Sequence, residues 1–154
     1  MNIIVSACLL GMKCRYDGSG QMLMQMQELK EKHHLIPVCP EIYGGLSTPR
    51  DAAEKIGDRV FTQSGEEVTQ EYRKGAKEIG LLADFFQCQY AILKERSPSC
   101  GYGTIYDGTF SGKLVQGNGI LAEELSGRGM EIIGESQITQ FLDLLEKRIN
   151  KLNK

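Results

Sequence analysis

A chain of 154 residues with 18 basic and 20 acidic side chains, a formal net charge of −2 and 41% apolar residues suits one core, and a single domain is expected over residues 1–154. The near-neutral balance excludes the basic footprint of a nucleic-acid binder, and no run reaches the ~20 apolar residues of a membrane span. The opening Met1 to Cys8 lacks the cationic region of a secretion signal, so a cytoplasmic location is expected, where cysteines are reduced, liganding or buried rather than paired.

Ile3-Ile4-Val5 reads as the first strand and runs on to Cys8. Met22 to Lys32 is rich in helix formers, with Met22, Met26 and Leu29 spaced for one buried face. Leu35 to Val38 is the second strand and ends at Cys39. From Pro40 to Arg50, two prolines and a glycine pair exclude a regular element, leaving a loop able to curl over a site. Val60-Phe61-Thr62 adds a short strand, and Ser64 with Glu67 has the form of a capping box. The helix it opens carries Val68, Tyr72, Ala76, Ile79 and Ala83 as one core-facing stripe and leads to a third strand, Tyr90 to Leu93.

Past Cys100, an Asp107-Gly108 pair between β-formers in Thr104 to Phe110 signals a hairpin. Ile120 to Leu125 reads as a short helix closed by Gly127 or Gly129, and Met130 to Ile133 as a further strand. Ile138, Phe141, Leu142, Leu145 and Ile149 form the stripe of a closing helix. Strands alternating with helices predict an α/β, three-layer Rossmann-like fold with a mainly parallel sheet and a hairpin-like insertion after the third strand.

If the first three strands lie parallel, Cys8, Cys39 and Cys100 arrive together at the carboxyl edge, where open α/β sheets place their ligands. Thiolates are soft ligands suited to zinc or iron–sulfur clusters. Their spacing contains no local Cys-x-x-Cys knuckle, so the grouping is geometric. Cys14 shares a loop with Cys8 and stands open as fourth ligand, reserve thiol or bystander, whereas Cys88 precedes a strand and is expected at the opposite edge as a buried apolar residue.

Glu41, two residues after Cys39, is placed to transfer protons beside whatever the thiolates hold. Ser97, Ser99 and the glycines around Cys100 offer hydroxyls and amides to an anion or a substrate heteroatom. Arg15, Tyr16, Asp17, Lys94 and Arg96 are candidates for orienting a polar planar ligand or lowering a thiol pKa. His33 and His34 read as a solvent-facing cationic cap of a helix end. No Walker loop or dinucleotide-binding glycine turn follows a strand.

Taken together, Val5-Ser6-Ala7-Cys8-Leu9-Leu10-Gly11, Arg15-Tyr16-Asp17-Gly18, Val38-Cys39-Pro40-Glu41, Gly44-Gly45-Leu46-Ser47-Thr48-Pro49-Arg50 and Ser97-Pro98-Ser99-Cys100-Gly101 resemble a family long catalogued as a domain of unknown function and now associated with thiouracil desulfidases. The resemblance runs from Ile3 to about Gly134. It implies an oxygen-sensitive [4Fe-4S] cluster held by Cys8, Cys39 and Cys100, with the fourth iron open to the sulfur of a small thiolated pyrimidine. The implied reaction replaces that sulfur by water, releasing uracil and sulfide without net redox change. It also implies Glu41 and Ser99 as catalytic groups and Ser97, Arg15, Tyr16, Asp17 and Arg50 as substrate-binding residues.

The competing expectations are a zinc-stabilised binding module with Cys14 as the fourth ligand, and a thiol redox protein pairing Cys8 with Cys14. Oligomeric state is not legible.

Overall fold

In the computed structural model, which describes residues 1–154, the chain opens with β1 (Asn2–Ser6), α1 (Gln25–Lys32) and β2 (His34–Val38). It continues through a one-turn helix α2 (Pro40–Tyr43), a hairpin of β3 (Ala53–Ile56) and β4 (Arg59–Thr62), the long α3 (Thr69–Phe85) and β5 (Tyr90–Leu93). A second hairpin of β6 (Thr104–Tyr106) and β7 (Leu114–Gln116) precedes α4 (Ile120–Gly127), β8 (Glu131–Gly134) and α5 (Ile138–Leu152).

β2, β1, β5 and β8 hydrogen-bond in that order as one sheet, every pair parallel. Successive strand residues face opposite sides, and both sides are apolar because both are covered. Ile4, Ala91, Leu93 and Ile132 belong to a core shared with Tyr72, Ala76, Ile79 and Leu121 of α3 and α4. Ile3, Val5, Ile92 and Ile133 share the opposite core with Met26 and Leu29 of α1 and with Ile138, Phe141 and Leu145 of α5. The three layers and the parallel sheet are those expected. The order of the four sheet strands reverses direction between β1 and β5, the switch point at which such folds bind ligands.

Two glycines set the position of the loop beyond β2. A Cβ on Gly75 would sit 1.7 Å from the Pro40 carbonyl oxygen, and one on Gly44 would sit 1.9 Å from that of Glu71. Backbone therefore meets backbone where α2 crosses α3, which holds the segment after Cys39 against Tyr72.

Several local expectations give way. The Pro40 to Arg50 stretch does contain a regular element: Pro40 occupies the first turn of α2, where its missing N–H costs nothing. Ser64 does not cap α3, which begins at Thr69; Glu67 is drawn instead to Arg59 at 2.7 Å, and the Thr69 hydroxyl accepts the Val60 amide at 2.9 Å. The second hairpin keeps its predicted place but turns through a longer loop, with Asp107 accepting the Thr109 amide at 2.9 Å and Phe110 at φ 56°. Met22 lies outside α1, bridged to Leu10 and 44% exposed, and the outer end of the closing stripe, Ile149, is 43% exposed. His33 is buried, and burial lowers its pKa, so it is no solvent-facing cation. No helix is long and apolar enough to cross a membrane.

Candidate active site

One cavity of about 480 Å³ opens at the carboxyl edge of the sheet. Cys8 reaches it from a 3-10 turn directly after β1, Cys39 from the end of β2, and Cys100 from the loop after β5. The predicted convergence is therefore present, and Cys14 lines the same cavity. Cys8, Cys14 and Cys100 are buried, and the Cys39 thiol lies 3.9 Å from the Cys14 carbonyl oxygen to which it donates. Cys88 lies on the other side of the molecule's chemistry, buried in the core before β5.

Burial is the main influence on these thiols. It pushes Cys8 up to about 11 against the opposing charge of Lys94, and Cys14 up to about 12 with a further rise from Cys39. Cys100 is raised as well, again by burial first, while hydrogen bonds from Ser6 and Ser99 act in the opposite direction. Cys8, Cys14 and Cys100 are accordingly protonated at neutral pH when free and must release protons to any metal they bind. No three His, Cys, Asp or Glu side chains converge closely enough for one metal ion. A single zinc needs its sulfurs all at ~2.3 Å from one point; an iron–sulfur cluster places each thiolate on a different iron and suits a wider set.

Glu41 is held from three directions. The Tyr72 hydroxyl donates to its Oε1 at 2.7 Å, Arg50 Nε donates to the same oxygen at 3.1 Å, and the Ser99 hydroxyl donates to Oε2 at 2.9 Å. Hydrogen-bond accounting orients the serines. Ser97 Oγ accepts the amides of Ser99 and Cys100, both at 3.1 Å, which occupies its two lone pairs. Its proton therefore points to Ser99 Oγ, 2.9 Å away, and the Ser99 proton to Glu41. The loop carrying these serines is fixed from behind: the amides of Ile120 and Leu121, at the start of α4, donate to the carbonyls of Pro98 and Ser99 at 3.0 and 2.8 Å. Gly119 is required there, since a Cβ would lie 2.4 Å from the Ser99 carbonyl oxygen.

The structure brings together Glu41, Ser97, Ser99, Arg15, Tyr16 and Arg50 around the cavity. Arg50 is occupied mainly as a staple, because Nη1 donates to the Ser47 carbonyl and the Thr48 hydroxyl and Nη2 donates to the Cys14 carbonyl at 2.8 Å. Asp17 is not part of the cavity wall. It is exposed and accepts the amide and hydroxyl of Ser19, which lower its pKa. Arg15 makes no ion pair, and Lys94 pairs with Glu135.

Sequence reasoning missed Tyr72 as more than core, Ser6, Glu54, Tyr106 and Phe110, all of which line the cavity. Ser6 joins β1 to β5 by accepting the Lys94 amide at 2.9 Å. Nothing in spacing marks these residues; Glu54 and Phe110 become neighbours only through the hairpins.

Comparison with other proteins identifies the family. The sequence profile of the family described as 2-thiouracil desulfurase matches residues 3–137. The uncharacterized protein YbbK of Bacillus subtilis (strain 168) is 41% identical over 150 residues, covering 91% of this chain and 99% of that one. The solved structure of the [4Fe-4S]-dependent thiouracil desulfidase TudS superposes with a TM-score of 0.89 at 39% identity, covering 94% of this chain and 97% of the other. With residues 3–137 matched by the family profile and both similar proteins matched over nearly their whole length, the chain belongs to the 2-thiouracil desulfurase family.

Proposed function

We propose that this protein is an enzyme that removes sulfur from thiouracil, releasing uracil and sulfide, with a [4Fe-4S] cluster held by Cys8, Cys39 and Cys100. The observation that carries this reading is the meeting of those three thiols with the Ser97, Ser99 and Glu41 chain in one cavity. The donor set fits the group: soft sulfur ligands from three separate segments, in a space that also admits a planar base. When bound, such a cluster supplies a Lewis-acidic iron with a free position that accepts sulfur.

The chain's own groups handle the protons. Replacing C=S by C=O with water moves both water protons from oxygen to sulfur, and no electrons are gained or lost. Glu41 Oε2 keeps one lone pair beyond its bond to Ser99, so it can take a proton from the attacking water and return it to the departing sulfur. Tyr72 and Arg50 hold Oε1, which prevents the carboxylate from turning away. Arg15 and Tyr16 lie at the cavity wall, placed to meet the oxygen and ring face of the base. Water is limited by burial: Ser99 is 1% exposed and Cys100 is 5% exposed.

The test is anaerobic reconstitution with iron and sulfide, followed by sulfide release from 2-thiouracil. Cys8→Ser, Cys39→Ser and Cys100→Ser are each expected to lower iron per chain and abolish release, while Cys14→Ser retains both. Loss of iron binding in Cys14→Ser, or stoichiometric zinc in place of iron, would overturn the three-thiolate assignment.

A further inference from the structure

Glu54 is a carboxylate of β3 that is only 9% exposed yet lines the cavity. Its two oxygens have different surroundings. Oε1 accepts the backbone amides of Gly108 and Phe110 at 3.0 and 3.1 Å, pinning the turn of the β6–β7 hairpin beside the cavity. Oε2 has no hydrogen-bond partner in the protein, and no salt bridge reaches Glu54, although no buried polar atom is left both sealed and unsatisfied. Oε2 of this nearly buried residue is therefore open to solvent at the cavity wall without a protein donor, where a ligand N–H can take the place of water.

The other cavity carboxylates are differently placed. Glu41 already receives Tyr72, Arg50 and Ser99. Glu95 is only half-buried: its Oε1 accepts the amide and hydroxyl of Ser136, just before the closing helix, and its Oε2, also without a protein donor, belongs to a residue more open to water. Phe110, whose amide Glu54 holds, contributes an aromatic side chain to the same wall. An aromatic face beside a free acceptor matches a flat heterocycle that carries an N–H in its plane.

We propose that Glu54 is a specificity residue: its Oε2 accepts a ring N–H of the thiolated pyrimidine, while its Oε1 anchors the turn that carries Phe110 against the ring. This rests on the desulfuration reading for the identity of the ligand. Thiouracil offers such N–H groups at N1 and N3, whereas a ring methylated at the recognised nitrogen offers none and places a methyl against the carboxylate. A site built around a hydrogen bond rejects a ligand that cannot make it far more strongly than an apolar pocket rejects a change of size.

The test uses the reconstituted enzyme with 2-thiouracil, 1-methyl-2-thiouracil and 3-methyl-2-thiouracil. Wild type is expected to lose at least tenfold in kcat/KM for one methylated compound. Glu54→Gln keeps an oxygen for the turn but sets an amide donor against the ring N–H. It is expected to raise KM for 2-thiouracil about 10- to 100-fold with a much smaller change in kcat, the scale of one lost charge-assisted hydrogen bond, and to erase the discrimination between methylated and unmethylated rings. Calorimetric titration with uracil should show the same loss of affinity without any turnover. Equal use of all three compounds by wild type, or unchanged KM, uracil affinity and discrimination in Glu54→Gln, overturns this inference and leaves desulfuration standing. Absence of sulfide release from 2-thiouracil by the iron-loaded wild type overturns the desulfuration reading and this inference together.

Discussion

Replacing Tyr72 by phenylalanine removes one oxygen and one hydrogen bond. The tyrosine is 1% exposed, its ring is part of the core under α3, and its hydroxyl donates to Glu41 Oε1 at 2.7 Å. Burial, reinforced by the neighbouring carboxylate, raises the hydroxyl's pKa, so it stays a neutral donor. A hydrogen bond to a charged group contributes about 1.5–3 kcal/mol. The small void left by one oxygen adds only about 0.3 kcal/mol at ~24 cal/mol per Å³ for ~10–15 Å³. Arg50 still serves Oε1, so the loss should fall near the middle of that range, about 2 kcal/mol. For a chain of this size it lowers Tm by about 4–8 °C, at ~2–4 °C per kcal/mol. With one of its two Oε1 anchors gone, Glu41 wanders, and kcat should fall about tenfold with KM little changed, since small misplacements of reacting groups are costly. The assays are thermal unfolding of the iron-free protein and steady-state kinetics of the loaded one, each repeated in a Glu41→Gln background. If Tyr72 acts through Glu41, the two substitutions are strongly non-additive. A Tyr72→Phe protein as stable as its parent, or two strictly additive effects, would refute the reasoning.

Stability of the reduced, iron-free protein should depend on pH in a definite direction. Cys8 and Cys14, at about 11 and about 12, together with the raised Cys100, hold their protons more tightly than an ordinary thiol at 9.0. Their contribution is complete below pH 9 and is lost progressively above it, through about 11 for Cys8 and about 12 for Cys14, and urea unfolding between pH 8 and 11 measures the onset; Cys100→Ser should flatten the loss. Because ligating thiols bind as thiolates, loading iron at neutral pH should release about one proton per ligand, close to three per chain, as read by an indicator dye, whereas four would assign Cys14 to the metal. Gly75→Ala drives a methyl toward the Pro40 carbonyl. Since overpacking usually costs ~1–3 kcal/mol, Tm should drop by at least about 2–4 °C, and sulfide release should fall because α2 carries Glu41.

The readable parts of the chain are those in which local pattern and final burial have the same cause. β1 and β5 were legible because a parallel sheet covered on both faces selects uninterrupted apolar runs, and α3 because a single buried stripe repeats with the helix. β3 was not, since Ala53-Glu54-Lys55-Ile56 has two charged residues in the middle of four. Both charges are buried because distant segments satisfy them: Lys55 Nζ meets Glu123 at 2.7 Å and the Asn118 carbonyl at 2.8 Å, and Glu54 meets the hairpin turn. The capping-box signature at Ser64 failed for the same kind of reason, as Arg59 competes successfully for Glu67. Asp17 lies in the Arg15 to Gly18 segment on which the resemblance rests, yet its side chain turns back on Ser19, which spacing alone does not reveal.

By itself the sequence determined the α/β class, the strands that Cys8, Cys39 and Cys100 follow, and through its motifs the family. Those properties follow from hydrophobic periodicity and short local patterns, which are written along the chain. Only the tertiary structure decided that Tyr72 and Arg50 fasten Glu41, that Ser97 points its proton at Ser99, and that Glu54 spends only one of its oxygens on the hairpin turn. Such roles depend on which donor faces which acceptor across tens of residues, and that is set by how the layers and hairpins come together.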